Sequence, residues 1–150
     1  MKIPLKDILF VLFQFLLIIA FAFDFEVLSI IFPEVLFWIG LLLFISGAFI
    51  TVVAVLHLNI HLSPFPSPLP GAKLVETGIY KLVHHPIYTG LILAFYGYAV
   101  ITDSGYRLLI ATLLFVLFYI KGLYEEKCLI EKFPNYTEYK KRSGRFFPGL

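Results

Sequence analysis

The chain has 150 residues, is 60% hydrophobic with a mean hydropathy of +0.91, and is only 15% charged. A water-soluble domain of this size has too little polar surface to cover that much apolar side chain, so the composition points to an integral membrane protein. The net charge of +2 is too small to support nucleic-acid binding, and the single cysteine, Cys128, excludes an intramolecular disulfide.

The first apolar run, from about Ile8 to Phe23 and across Asp24 and Glu26 toward Phe32, predicts a membrane helix over about 8–32. Lys2 and Lys6 followed by an apolar stretch also fit a signal peptide, but no small-residue cleavage pattern precedes Asp24. A second run, 35–58, carries no Asp, Glu, Lys or Arg and exceeds the roughly 20 residues a crossing needs. Beyond it lies His61-Leu62-Ser63-Pro64-Phe65-Pro66-Ser67-Pro68-Leu69-Pro70-Gly71, too rich in proline for helix and suited to an extended strap. Such a strap is either a stiff spacer or the wall of a site. Two shorter runs, about 87–102 and 106–123, complete four spans whose ends draw on flanking polar residues. After Gly122 the pattern turns amphipathic, as in a helix leaving the membrane, and Pro134 ends or kinks it. Tyr136, Tyr139 and the Lys140-Lys141-Arg142 run predict a further surface helix. The expected fold is all-α: about four transmembrane helices plus a cytoplasmic C-terminal helix, in one domain over 1–150.

Basic residues set the expected orientation. Lys2 and Lys6 precede the first span, Lys73 and Lys81 lie between the second and third, and seven of the 12 basic residues fall from Lys121 to Arg145. The loop with Asp24, Glu26 and Glu34 has none, and Arg107 stands beside Asp103. The positive-inside rule then places both termini in the cytoplasm. It also brings two polar blocks, 59–90 and 121–148, to one membrane face. The first holds Gly78-Ile79-Tyr80-Lys81-Leu82-Val83-His84-His85-Pro86-Ile87-Tyr88-Thr89-Gly90. Histidines and helix-breaking residues beside a bilayer are a functional-site signal.

Several chemistries are weighed against these blocks. His57 and His61 at helical spacing, with His84 and His85, have a metal-binding pattern, yet no Cys pair or His-Glu-x-x-His string accompanies them and no metal is expected. Neither a serine nucleophile elbow nor a phosphate loop or dinucleotide fingerprint occurs. Lys121 and Glu125 sit four residues apart, on one helix face.

The tract Leu74-Val75-Glu76-Thr77-Gly78 through Gly90 resembles the signature of the isoprenylcysteine carboxyl methyltransferase family, Leu-Val-x-x-Gly-x-Tyr-x-x-x-Arg-His-Pro-x-Tyr-x-Gly. The strings Glu125-Glu126-Lys127-Cys128-Leu129, Phe133-Pro134-Asn135-Tyr136 through Arg142, and Arg145-Phe146-x-Pro148 resemble its second block. The resemblance covers about residues 57–150. It implies an S-adenosylmethionine-dependent membrane enzyme whose cofactor is bound by Tyr80, His85, Pro86, Ile87, Tyr88 and Glu125, with Lys73, Leu74 and Val75 lining the entrance. It also implies a substrate-contacting position at Lys121. By their chemistry Lys121, Glu125 and Arg142 are the candidate catalytic residues: Lys121 to orient a carboxylate, Glu125 to take a proton from an amine, and Arg142 to hold Glu125 or an anionic substrate, with lipid anchoring as its alternative. The expected partners are a lipophilic or lipid-linked acceptor, with a carboxylate or an amine, and membrane lipid. His84 and Lys121 depart from the pattern, each standing where relatives carry arginine. Two alternatives stay open: a sterol-reductase-like enzyme using a nicotinamide, and a non-enzymatic membrane scaffold. Oligomeric state is not legible.

Overall fold

Hydrophobic runs this long can satisfy their backbone in lipid only as helices, and the described residues form five α-helices. The structure, a computed structural model, describes residues 3–25, 28, 30–59 and 62–149; Lys2, Glu26 and His61, which the sequence reading invoked, fall outside these. The helices are α1 (Leu5–Ala22), α2 (Glu34–Leu58), α3 (Pro86–Ile101), α4 (Gly105–Lys132) and α5 (Tyr136–Arg142). Among the described residues α1, α2 and α4 are long and apolar enough to cross a membrane, and α3 is a shorter apolar helix. The chain is a polytopic all-helical membrane protein.

The first helix ends at Ala22, well short of the expected boundary at residue 32. Asp24 explains the stop. Its carboxylate accepts from Ser104 Oγ at 2.9 Å and pairs with Arg107 Nη1 at 2.7 Å, which turns the chain toward the start of α4. Ile30 N–H and Phe32 N–H then donate to the Asp103 carbonyl and carboxylate. Arg107 therefore pairs across the fold with Asp24. The fourth helix is also longer than the 106–123 span, continuing unbroken to Lys132 before Phe133 and Pro134 end it.

Helix α2 has three buried residues, Gly40, Gly47 and Ala54, seven apart. This single small-residue stripe faces α3, while Leu42, Phe49 and Leu56 on the other sides are about 70% exposed, as lipid-facing side chains should be. A Cβ at Gly47 would lie 2.5 Å from the Ala94 nitrogen and the Gly90 oxygen. Close backbone approach through small residues is how helices gain packing energy in lipid, where apolar burial alone favours no contact. Helix α3 packs against α2 on one side and α4 on the other, and α1 packs on α4. The core, including Ile92, Ala99, Leu114 and Phe118, lies along this chain of contacts.

Replacing Gly47 with Leu should wedge α2 off α3 and destabilise the protein by about 2 kcal/mol. A thermal melt of the detergent-solubilised variant should show a lower Tm, while Leu56→Ala on the lipid face should melt like the parent.

Candidate functional site

The site is built where the two polar blocks meet. His85 cannot continue a helix backwards from Pro86, so residues 83–85 lie outside helical geometry. They pair in parallel with the C-terminal segment: His84 N–H donates to the Gly144 carbonyl at 2.9 Å, His85 N–H to Arg145 O at 3.2 Å, and Gly144 N–H to Leu82 O at 3.0 Å. Thr89 Oγ1 donates to Phe146 O at 2.8 Å. Helix α5 completes the join. Tyr139 OH donates to Tyr80 O at 2.6 Å, Asn135 Nδ2 to Glu76 Oε1 at 3.2 Å, and Arg142 pairs with Glu76 at 3.0 Å.

A cavity of about 320 Å³ opens beside this join. The proline strap forms one wall, with Pro64, Phe65, Pro66 and Leu69 against it. The strap is pinned at two points: Ser67 N–H donates to Asp7 Oδ2 at 3.0 Å, and Lys132 Nζ donates to the Leu69 carbonyl. Asp7 is fully buried, and its other oxygen has no partner among the described residues. On the far wall Tyr88 OH donates to Glu125 Oε2 at 2.8 Å. The Tyr88 ring lies parallel to His85 (5.2 Å between centroids) and to Phe118 (4.9 Å). Lys121, one helical turn before Glu125, is 1% exposed and sits 5.4 Å from the Tyr88 centroid. Its Nζ donates to Gln14 Oε1 at 2.5 Å.

Glu126 points the other way. Its side chain is 2% exposed and meets His84 Nε2 (3.3 Å), His85 Nε2 (3.4 Å), Arg145 Nε (2.7 Å) and Lys140 Nζ (2.5 Å). The hydroxyl of Ser143 donates to Tyr139 O, so it accepts from His84 Nδ1, and His84 bridges Ser143 to Glu126. His84, His85 and Glu126 also lie close enough together to hold a metal ion. Two full cations already neutralise that carboxylate, which makes the cluster an ion-pair hub first. His57 Nδ1 is occupied by the Val53 carbonyl at 2.8 Å. Burial pushes the Tyr80, Tyr136 and Tyr139 hydroxyls well above their usual range, so all three remain proton donors at neutral pH. The Tyr136 hydroxyl is buried without a partner among the described residues.

Of the residues singled out in the sequence, Lys73, Leu74, Val75, Tyr80, His85, Pro86, Ile87, Tyr88, Lys121 and Glu125 line the cavity. Arg142 does not. Its side chain is 69% exposed and held by Glu76 on the outer surface, so it reaches neither Glu125 nor the cavity. The helix carrying it buries Tyr136 and Tyr139, so α5 is a clamp on the join as well as a surface helix. Two residues make contacts that the sequence does not assign to them. Glu126 stands beside Glu125 in the second motif block, and adjacent helical positions face about 100° apart. Gln14 had a signal, being the one polar side chain between Ile8 and Phe23.

Comparison with known proteins gives a family match. The model described as phospholipid methyltransferase matches residues 35–136, roughly two thirds of the chain. A cobalt-zinc-cadmium resistance protein of Cupriavidus metallidurans is 35% identical over 78 residues, covering 51% of this chain and 36% of that protein. A nickel-cobalt-cadmium resistance protein of Alcaligenes xylosoxydans xylosoxydans is 32% identical over 81 residues, covering 53% and 38%. The chain thus spans little more than a third of the length of these curated relatives.

Substituting Glu126 with Gln should cost about 3 kcal/mol, because Arg145 and Lys140 lose the buried anion they share. Limited proteolysis should show the segment after Phe133 cut faster in the variant than in the parent.

Proposed function

We propose that this chain, which belongs to the phospholipid methyltransferase family, transfers a methyl group from S-adenosylmethionine to a lipophilic small molecule or lipid-linked group. The reading takes residues 1–150 as one catalytic domain, with both termini and the cavity at the cytoplasmic face, and a carboxylate or amine as acceptor.

The observation that carries it is the convergence in one cavity of Tyr88 on α3 and Glu125 on α4, 37 residues apart in sequence. The cavity volume is at the lower end of the roughly 300–1,000 Å³ that small-molecule sites occupy. Its chemistry fits the cofactor. Glu125 can accept from ribose hydroxyls or an ammonium, and the unpartnered Tyr136 hydroxyl is a donor awaiting an acceptor. Leu74, Val75, Ile87 and the strap offer apolar walls for a base. When bound, the cofactor supplies an electrophilic sulfonium methyl: the acceptor's lone pair forms the new bond to carbon as the carbon–sulfur bond breaks and its electrons stay on sulfur.

The protein's part in such a displacement is positioning and desolvation. Tyr88 fixes the Glu125 carboxylate, and the parallel stack with His85 and Phe118 fixes Tyr88. The strap, pinned to Asp7 and Lys132, excludes water. A carboxylate acceptor loses no proton on methylation. An amine acceptor must shed one, and Glu125 lines the cavity as a base for it. Lipid-embedded walls let an apolar substrate enter sideways from the bilayer.

Calorimetry with S-adenosylhomocysteine tests this reading on the detergent-purified protein. Micromolar binding is expected, weakened about tenfold or more in Tyr88→Phe and in Glu125→Gln, as for loss of a hydrogen bond to a charged group. A folded parent protein that binds no S-adenosylhomocysteine refutes methyl transfer.

A further inference from the structure

His84 and His85 bring two imidazoles to one buried carboxylate, and the hydrogen bonds around Glu126 leave both rings incompletely used. The Ser143 hydroxyl gives its proton to the Tyr139 carbonyl, so His84 Nδ1 carries the proton that it shares with Ser143. A neutral His84 ring then turns its Nε2 lone pair toward Glu126 Oε1, 3.3 Å away. His85, 6% exposed, has its Nε2 3.4 Å from the same oxygen, and that nitrogen has no hydrogen-bond partner among the described residues. Buried polar atoms are normally satisfied. Two imidazole nitrogens facing one carboxylate oxygen form a donor set that a cation completes.

The spacing suits a small ion. Around a tetrahedral ion with ligands at about 2.0–2.1 Å, neighbouring ligand atoms lie about 3.4 Å apart. The two edges from Glu126 Oε1, 3.3 and 3.4 Å, already have that length, and all three atoms lie within 4.8 Å of one another. A ligating imidazole usually donates its other N–H to an oxygen. Here His84 Nδ1 is 3.1 Å from Ser143 Oγ, and His85 Nδ1 is 3.8 Å from Glu125 Oε2. Charge balances as well. A divalent ion would take the place of Lys140, whose side chain is 37% exposed and can turn to water, while Arg145 keeps its bonds to Glu126. The Glu125 carboxylate behind His85 adds a second negative charge. A cleft of about 430 Å³, lined by His84, Lys140 and Arg145 and edged by the exposed Lys141 and Arg142, gives a route from the surface.

We propose that His84 Nε2, His85 Nε2 and Glu126 Oε1 form a binding site for one divalent transition-metal ion of the zinc, cobalt or nickel class, with the fourth position left to water. Imidazole donors select such ions over Mg²⁺ and Ca²⁺, which take oxygen ligands. Binding exchanges the Lys140 ammonium for the metal at the carboxylate, and both imidazoles ligate as neutral rings. The ion would tie the start of α3 to α4 at the join. It would also touch the cavity through His85, whose ring lies parallel to that of Tyr88. The site stands whether or not the cavity transfers a methyl group.

The test titrates Zn²⁺ into the full chain, detergent-purified and freed of any affinity tag, against a chromogenic chelator. One Zn²⁺ per chain at micromolar or tighter affinity is expected, undisturbed by excess Mg²⁺. Co²⁺ should give the intense visible absorption of a four-coordinate site, without the thiolate charge-transfer band that Cys128 would produce. That spectrum of the parent reads the ligand set without any substitution. His84→Arg can still pair with Glu126 but cannot ligate a metal. It should melt like the metal-free parent and lose about a hundredfold or more in Zn²⁺ affinity, since loss of an outer partner alone costs roughly 10–100-fold. Zn²⁺ should raise the Tm of the parent and leave that of His84→Arg unchanged. A parent that binds no Zn²⁺ overturns the proposal, as does a weak six-coordinate Co²⁺ spectrum, which marks adventitious surface binding. Zn²⁺ affinity that is unchanged in His84→Arg, or lost instead in His57→Ala or Cys128→Ser, places the ion elsewhere and also overturns it.

Discussion

The cavity end of this bundle depends on one buried carboxylate. Glu126 gathers Arg145, Lys140 and the imidazoles of His84 and His85, so the last residues of the chain are pulled onto the start of α3 and the end of α4 at one point. Removing a carboxylate from water costs several kcal/mol, which only multiple well-placed donors offset. That offset requires the backbone pairing of residues 82–85 with 144–145, because the pairing carries His84 and Arg145 to the same carboxylate. The ionic hub and the backbone pairing therefore hold together or fail together. His84 lies between Ser143 and this carboxylate.

Adjacent positions on α4 divide the labour. Glu126 faces the C-terminal segment and is spent on architecture. Glu125 faces the cavity, and Tyr88 alone is its close hydrogen-bond donor among the described residues, so its carboxylate can still serve a ligand. Lys121, one turn earlier on the same helix face, lines the cavity with Glu125 and is hydrogen-bonded to Gln14.

The transmembrane frame serves this site. The close seam of α2 on α3 leaves α2 free to present most of its surface to lipid, and α3 becomes the shared wall between that seam and α4. Helix α1 contributes few buried residues, yet two of its polar side chains reach the functional end: Asp7 holds the strap and Gln14 meets Lys121. A helix that looks like a plain anchor in composition is thus part of the cavity wall.

The long uninterrupted apolar runs dictate a polytopic helical protein, because a helix satisfies its own backbone in lipid whereas the strands of a membrane barrel alternate apolar and polar positions. The motif tracts, read residue by residue, likewise mark out the cavity lining from Lys73 to Tyr88 and at Glu125. The rest was decided in three dimensions. Helix α1 ends at Ala22 only because Asp24 meets Ser104 and Arg107 from another part of the chain. Arg142 turns outward because Glu76 is its nearest anion, and Glu126 outranks Glu125 as the structural anchor because the C-terminal segment folds back onto it. Gln14 acquires a role only through a partner 107 residues away. Hydrophobic periodicity is a local property and is written in the sequence; which buried polar group finds which partner depends on distances between helices, and only the packed bundle sets those.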